Sequence, residues 1–228
     1  MRRFPCAILP AVGEVFTLPD EVLRHAVRVL RLERETPFRL FDGQGREVVV
    51  RRLDDTRAEV LETLTAEALP PRREVHLWLA LLKGPAMDDA LRMATEAGAA
   101  SVQPLHTART VAEGDRRERW SRILEQAARQ CGRADVPLLH PALALREAVA
   151  AFPASTIGVY ADAAGRPDVL DGTGDLPVIV AVGPEGGWAP KERELLDAAG
   201  FLTLRLGPWT LRACTAAPIA VASVLATR

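Results

Sequence analysis

The apolar run Pro177-Val178-Ile179-Val180-Ala181-Val182 ends in Gly183-Pro184-Glu185-Gly186-Gly187-Trp188, and Pro190-Lys191-Glu192 follows with residue types that open a helix. A strand feeding a glycine-rich turn and then a helix N-terminus leaves backbone N–H groups facing whatever lies at the strand's carboxyl end. Glycine lets that ligand approach the backbone closely. The plan recurs one unit later: Leu202 to Leu206 reads as a strand, Gly207-Pro208-Trp209 as its turn, and Leu211-Arg212-Ala213-Cys214-Thr215-Ala216-Ala217 as the entry to the last helix. Two such turns opening on one sheet edge predict a crevice. Walls of glycine, proline, leucine, alanine and backbone suit an adenine ring and a thioether, whereas a triphosphate asks for lysine and a metal-binding carboxylate. Neither G-x-G-x-x-G nor a G-K-[ST] ending is present, so the turn is no dinucleotide fingerprint and no P-loop. Taken alone, the Pro-Glu-Gly-Gly turn is also compatible with a simple change of chain direction.

Other chemistry has little support. His25, His76, His106 and His140 are scattered, and Cys6, Cys131 and Cys214 lack C-x-x-C spacing, so no metal is expected. An odd number of distant cysteines fits a reducing compartment. The N-terminus runs into no apolar signal region and no apolar stretch matches a bilayer span, so the expected location is the cytoplasm, away from membranes.

A parallel sheet must carry the two turns. Beyond Pro70-Pro71-Arg72-Arg73, where paired prolines interrupt any ladder or helix interior, strand and helix patterns alternate. Val75 to Leu82, Ser101 to Leu105, Thr156 to Tyr160, Pro177 to Val182 and Leu202 to Leu206 read as strands. Met87 to Ala97, closed by Gly98, and Asp115 to Cys131 read as helices. The prediction is an α/β domain over 71–228 with a mostly parallel sheet. Residues 1–70 read as a separate small β-barrel. Phe38 to Phe41, the turn Asp42-Gly43-Gln44-Gly45 and Glu47 to Val50 make a hairpin. A helix over Asp20 to Leu32 would bury Val22, Leu23, Ala26, Val27 and Leu30.

Over 228 residues the chain is 48% hydrophobic and 26% charged, ordinary globular composition that argues against disorder. The net charge of −1 does not by itself suggest nucleic acid, but the basic surplus is concentrated in residues 72–133. Arg24, Arg28 and Arg31 share one face of the first helix and, with Arg2-Arg3, form a candidate phosphate-binding surface. On the long helix, Trp120, Ile123, Leu124, Ala127, Ala128 and Cys131 form the stripe to be buried. Arg119, Arg122, Gln126, Arg129 and Arg133 share the opposite face, where like charges repel unless an anion is present. A plain solvated face is the competing reading of that ridge.

Gly183-Pro184-Glu185-Gly186-Gly187, Ala199-Gly200-Phe201, Leu206-Gly207-Pro208, Leu211-Arg212 and Thr215-Ala216-Ala217 together closely resemble the bacterial 16S ribosomal RNA (uracil-N3) methyltransferase family, of the SPOUT class. Weaker matches extend over the whole chain: Arg3-Phe4, Val29-Leu30-Arg31, Phe41-Asp42-Gly43, Ala94-Thr95-Glu96 with Gly98, Pro104-Leu105 with Arg109, and Gln130 with Gly132-Arg133. The resemblance implies an α/β SPOUT-type domain with a C-terminal trefoil knot, a PUA-like N-terminal barrel that binds RNA, and a homodimer. The knot comes from the resemblance alone, since general rules of topology disfavour knots. It further implies S-adenosyl-L-methionine as cofactor and 16S ribosomal RNA or the small ribosomal subunit as partner. The cofactor would be held by Val182, Gly183, Glu185, Gly186, Gly187, Leu206, Gly207, Leu211, Thr215 and Ala216.

Methylation at uracil N3 requires loss of the N3 proton, with charge spreading onto the flanking carbonyl oxygens. A positioned arginine stabilises that charge. Arg212 is the catalytic candidate, with a salt bridge pinning the last helix as its structural alternative. Arg3 and Arg133, candidates to assist it, join Arg24, Arg28, Arg31, Arg122 and Arg129 as expected RNA contacts. N3 lies on the Watson–Crick edge, so the target must be unpaired or flipped out.

The chain departs from the family pattern at three positions. Trp209 stands where the family reads Gly-Pro-Arg, and Ala213-Cys214 where it reads Leu-Arg-Thr-Glu-Thr. A positive charge, a hydroxyl and a carboxylate are therefore missing, which bears on substrate handling rather than on backbone-mediated cofactor binding. Cys214 reads as a small apolar helix residue, because attack by a ring nitrogen needs no covalent adduct. A second function class is a non-catalytic RNA-binding assembly factor that keeps the fold.

Overall fold

The computed structural model describes residues 1–43, 45–64, 73–110 and 116–227. The paired prolines at the expected domain boundary and Asp115, the expected start of the long helix, lie outside the described residues. The chain divides into two compact units, Met1–Leu69 with Ala128–Val136, and Pro70–Ala127 with Pro137–Arg228.

The first unit contains β1 (Arg3–Pro5), β2 (Val15–Thr17), α1 (Asp20–Leu23), β3 (Pro37–Phe41), β4 (Glu47–Arg52) and β5 (Arg57–Leu64). The strands form one sheet in the order β1-β3-β4-β5-β2, with β1 parallel to β3 and the other pairs antiparallel. Its edges are β1 and β2, and the sheet is not closed by pairing between them among the described residues.

The β3–β4 hairpin has Phe41 opposite Glu47. Its turn is held by the Asp42 N–H to the Arg46 carbonyl (3.1 Å) and the Arg46 N–H to Asp42 Oδ1 (3.0 Å). Glycines at 43 and 45 take φ of 75° and 100°, which a side chain would strain. The core packs Phe4 edge-to-face on Phe38 at 5.4 Å, with Leu18, Val22, Ala26, Leu40, Val50 and Val60 around them.

The first helix departs from the expected α-helix over Asp20 to Leu32. After α1 the backbone widens into a π-helical stretch, Arg24–Val29, and the Leu30 N–H bonds to the His25 carbonyl at 2.9 Å. Arg31 then ends it at φ 50°. Val22 and Ala26 stay buried, but the wider turn carries Leu30 off the buried face to 37% exposure.

The second unit alternates strands and helices: β6 (Val75–Ala80), α2 (Pro85–Ala97), β7 (Ser101–His106), β8 (Leu138–Leu139), β9 (Leu143–Ala144), α4 (Leu145–Ala150), β10 (Ile157–Arg166), β11 (Val178–Val182), α5 (Pro190–Ala198), β12 (Leu202–Leu204) and α6 (Ala213–Ala226). The intervening helix α3 (Arg117–Cys131) has its last turn grouped with the first unit. All strand pairs are parallel, in the order β12-β10-β11-β6-β7-β8 with β9 also on β7, so the expected parallel α/β sheet is present. Central β11 is buried at every residue, as a sheet covered on both faces requires.

Gly98 caps α2 at φ 108°. Helix α6 packs on α2, β6 and β11, burying Ala213, Ala216, Ala217, Ala220, Val221 and Val224. On α3, Trp120, Leu124, Ala127 and Ala128 are buried as expected, whereas Cys131, at the C-terminal end, is exposed.

Candidate functional site

At the carboxyl ends of β10, β11 and β12 the second unit opens a cavity of about 510 Å³. That size lies within the range of small-molecule and cofactor sites. Ala161, Asp162 and Ala163 line it from β10, residues Val182 to Trp188 from the turn after β11, and Arg205, Leu206, Gly207 and Trp209 to Ala213 from the segment after β12.

Several contacts hold the Gly183–Gly187 turn. The buried Trp188 indole donates from Nε1 to the Ala161 carbonyl at 3.1 Å. Gly183 lies so close to that indole that a Cβ would come within 3.1 Å of it. Gly187, at φ 69°, closes the turn by donating to the Pro184 carbonyl at 2.8 Å.

The buried Glu192 carboxylate accepts from the Ala189 N–H at 2.8 Å, capping α5, and from the Ala108 N–H at 2.7 Å. This bond ties down the neighbour of Arg109, whose Nη1 donates to the Gly186 carbonyl at 2.5 Å. Asp162, nearly buried, accepts from Arg193 Nε at 2.8 Å. Beneath this rim Tyr160 donates to Asp197 at 2.9 Å, and its phenol is pushed above its ordinary range, chiefly by burial.

Arg212 sits at the N-terminus of α6, where its carbonyl accepts from the Thr215 and Ala216 N–H groups at 2.9 and 2.8 Å. Its side chain borders the cavity and makes no ion pair among the described residues, so the salt bridge considered for it is not found there. Val182, Gly183, Glu185, Gly186, Gly187, Leu206, Gly207, Leu211, Arg212 and Ala216 all border this one cavity. Thr215 is exposed on α6 and Cys214 half-buried, and both lie outside the lining.

Asp162, Arg193 and Arg205 line the cavity without having been singled out from the sequence. The strand expected over Thr156 to Tyr160 was the available signal: it pairs with β11 as far as Tyr160 and runs on to Arg166, so that Asp162 lies on its extension.

The arginines expected to meet RNA fall into two groups. Arg24, Arg28 and Arg31 are exposed, and no side-chain partner is found for them among the described residues. Arg3 is engaged: it binds Glu47 at 2.7 Å and the Arg133 carbonyl at 2.9 Å, with its guanidinium 4.9 Å from the centre of the Phe41 ring. Arg133 pairs with Asp135, Arg119 with Asp88 and, at 3.9 Å, Arg122 with Glu118, while Arg129 is half-buried. The ridge on α3 is therefore partly neutralised by its own neighbours. Among the described residues no group of three or more His, Cys, Asp or Glu is placed to hold a metal, and no helix is long and apolar enough to cross a membrane.

Fold and cavity define a parallel α/β protein with a glycine-lined cavity at its strand ends and, at the wall, an arginine that makes no ion pair among the described residues. Residues 69–225 match the family model for an RNA methyltransferase domain. Ribosomal RNA small subunit methyltransferase E of Mycobacterium bovis is 34% identical over 95% of this chain and 88% of its own length. The Synechocystis protein of that name is 32% identical, over 91% and 72%. The crystal structure of the Neisseria gonorrhoeae methyltransferase E bound to S-adenosyl methionine superposes with a TM-score of 0.91 at 30% identity, covering 98% of this chain and 96% of that one. A methyltransferase from Legionella pneumophila in complex with the same cofactor gives 0.85 at 28% identity. The chain belongs to the RNA methyltransferase family typified by ribosomal RNA small subunit methyltransferase E.

Proposed function

We propose that this protein transfers the methyl group of S-adenosyl-L-methionine to N3 of a uridine in 16S ribosomal RNA, acting in the cytoplasm. The observation that carries the reading is the cavity itself, which brings both glycine turns and Arg212, without an ion pair among the described residues, together beside three adjacent strands. The lining fits the cofactor: Val182, Leu206, Leu211 and Ala216 offer apolar walls, and a Cβ on Gly187 or Gly207 would meet nothing within 4 Å, leaving backbone accessible there. When bound, S-adenosyl-L-methionine supplies a methyl group already activated on a sulfonium. The protein then orients the acceptor and stabilises charge on the uracil carbonyl oxygens as the N3 proton leaves, the role assigned to Arg212.

The test is incubation of the purified protein and labelled cofactor with small subunits from a strain lacking the enzyme, followed by nucleoside analysis. Label is expected in 3-methyluridine. Label in another nucleoside, or none, overturns the reading. Calorimetry with the cofactor separates the enzyme from a scaffold that has kept only the fold.

We assign residues 1–70 to RNA binding as a PUA-like barrel and 71–228 to methyl transfer, with a knot formed around the C-terminal segment. These finer assignments rest on the resemblance. Arg24, Arg28 and Arg31 are the best-supported phosphate contacts, because their charges are exposed and unpartnered among the described residues. RNA affinity should fall steeply with salt despite the net charge of −1. Reversing Arg24 and Arg28 to glutamate should flatten the slope of log affinity against log salt by about one unit per lost contact. Reversing Arg122, which already faces Glu118, should flatten it less. Equal slopes for wild type and the Arg24/Arg28 variant would assign that surface to solvent.

We also propose a homodimer. The apolar side of α6 that faces away from α2 and the sheet carries Thr215, Ile219, Ala222 and Ala226, exposed or half-buried. Ala220 and Val224, at 0% and 1% exposure, are instead covered by the chain's own elements, so glutamate there should unfold the protein by burying an unpaired charge. Ala222→Arg is the informative variant: it should remain folded and be a 24.7 kDa monomer by light scattering over a dilution series. A wild type that is monomeric and fully active at every concentration excludes the dimer.

A further inference from the structure

Trp209 has no role in the site as described so far, yet it is 81% exposed and lies in the wall of the cavity. Among the described residues it is the only exposed tryptophan, tyrosine or phenylalanine ring; the other tryptophans, Trp78, Trp120 and Trp188, are buried. A tryptophan left in water keeps a large, rigid apolar face unsatisfied, and a partner with a flat π surface covers it well. The cavity wall beside it carries cations, Arg205 and Arg212, which suit a polyanion. An RNA whose N3 is to be methylated must present that base unpaired, and an unpaired base is stabilised outside the helix by stacking on an aromatic side chain.

We propose that Trp209 is the stacking platform for the unpaired base that enters the cavity, making it a substrate-binding residue of this site. The inference rests on the RNA methyltransferase reading given above. Stacking tolerates any base, so Trp209 contributes affinity and placement, while the choice of uridine falls to groups that meet its Watson–Crick edge.

Two measurements test the proposal. In the first, tryptophan fluorescence is followed while polyuridylic acid is added at low salt, with inorganic polyphosphate as a probe of equal charge character and no bases. The red-edge emission of the exposed tryptophan should be quenched by polyuridylic acid and not by polyphosphate. The Trp209→Phe variant should lack that quenching while still binding the RNA. In the second, methylation of small subunits is measured. Trp209→Ala should lower kcat/KM for RNA between about fivefold and one hundredfold, the range typical of losing one stacked base, with cofactor affinity unchanged. Trp209→Phe should recover most of the loss because it restores a ring.

Equal quenching by polyphosphate, or a Trp209→Ala enzyme with wild-type kcat/KM for RNA, overturns the platform. Conversion of Trp209→Ala to a monomer in light scattering also overturns it, placing the ring at a protein interface. Methyl transfer by the wild type to no RNA at all would instead sink the underlying functional reading, whereas the quenching experiment reads the platform without requiring turnover.

Discussion

Arg212→Ala is expected to retain cofactor affinity and to lose methyl transfer by roughly two or more orders of magnitude, the scale of removing one preorganised charge stabiliser. The fold should tolerate the change. What Arg212 contributes to α6 is its carbonyl, which accepts from Thr215 and Ala216 and is preserved in alanine. Its exposed side chain makes no ion pair among the described residues, so stability should shift by no more than about 0.5 kcal/mol. Arg212→Lys keeps the charge and loses the planar fork of donors, so a partial recovery would mean that charge matters and its geometry matters too. A kcat unchanged in Arg212→Ala would remove the residue from the chemistry. A collapse of cooperative unfolding would make it a structural residue despite its exposure.

Much of the site was legible because its signals are local. An apolar run, a glycine turn and a helix opening occur between Pro177 and Glu192, and the unit around Gly207 repeats them. Nothing beyond alternation was needed to expect that both turns face the same sheet edge. Asp162 and Arg193 escape a local reading because their pairing is made across 31 positions of sequence, from β10 to α5, and Asp162 lies beyond Tyr160, where the sequence pattern ends the strand. The Arg119–Asp88 pair on α3 is illegible for the same reason, since Asp88 lies on another helix, whereas the Arg122–Glu118 pair has helical spacing and is legible.

Where tertiary packing overrides local pattern, the reading failed in identifiable ways. The residues from Asp20 to Leu32 have the periodicity of an α-helix, but the wider π-helical turn and the left-handed Arg31 end it early and expose Val29 and Leu30. Nothing in Ala128–Val136 predicts that it groups with the N-terminal unit; Gly43 pairing with Asp135 and the Gly45 N–H bonding the Ala134 carbonyl do that through space. Helix α6 reads as apolar all round because α2 and the sheet cover so much of it. The amount left over for a partner could be judged only once those neighbours were placed.

Gly186→Val should reduce S-adenosyl-L-methionine binding by at least about a hundredfold while leaving unfolding cooperative, because the added bulk acts on the turn rather than on the core. A Cβ at 186 would approach the Arg109 side chain to 3.2 Å at Cδ and 3.3 Å at Cβ. Valine is branched and stiff there, so either Arg109 leaves the Gly186 carbonyl or the turn is displaced toward the cavity it lines. Both outcomes spoil the arrangement of the backbone that faces the ligand, and Arg109, being exposed, can yield without disturbing buried residues. Gly183 provides the contrast. A side chain there meets the buried Trp188 indole at 3.1 Å, so Gly183→Val should destabilise the whole unit by roughly 1–3 kcal/mol, the usual scale for overpacking. If Arg109 transmits the effect at 186, removing it should relieve the clash, and the double variant Gly186→Val/Arg109→Ala should bind the cofactor more tightly than Gly186→Val alone. Calorimetry on the four proteins of that cycle measures the coupling. Strictly additive losses would mean that valine acts directly in the cavity, and undiminished affinity in a folded Gly186→Val protein would take the turn out of the binding site.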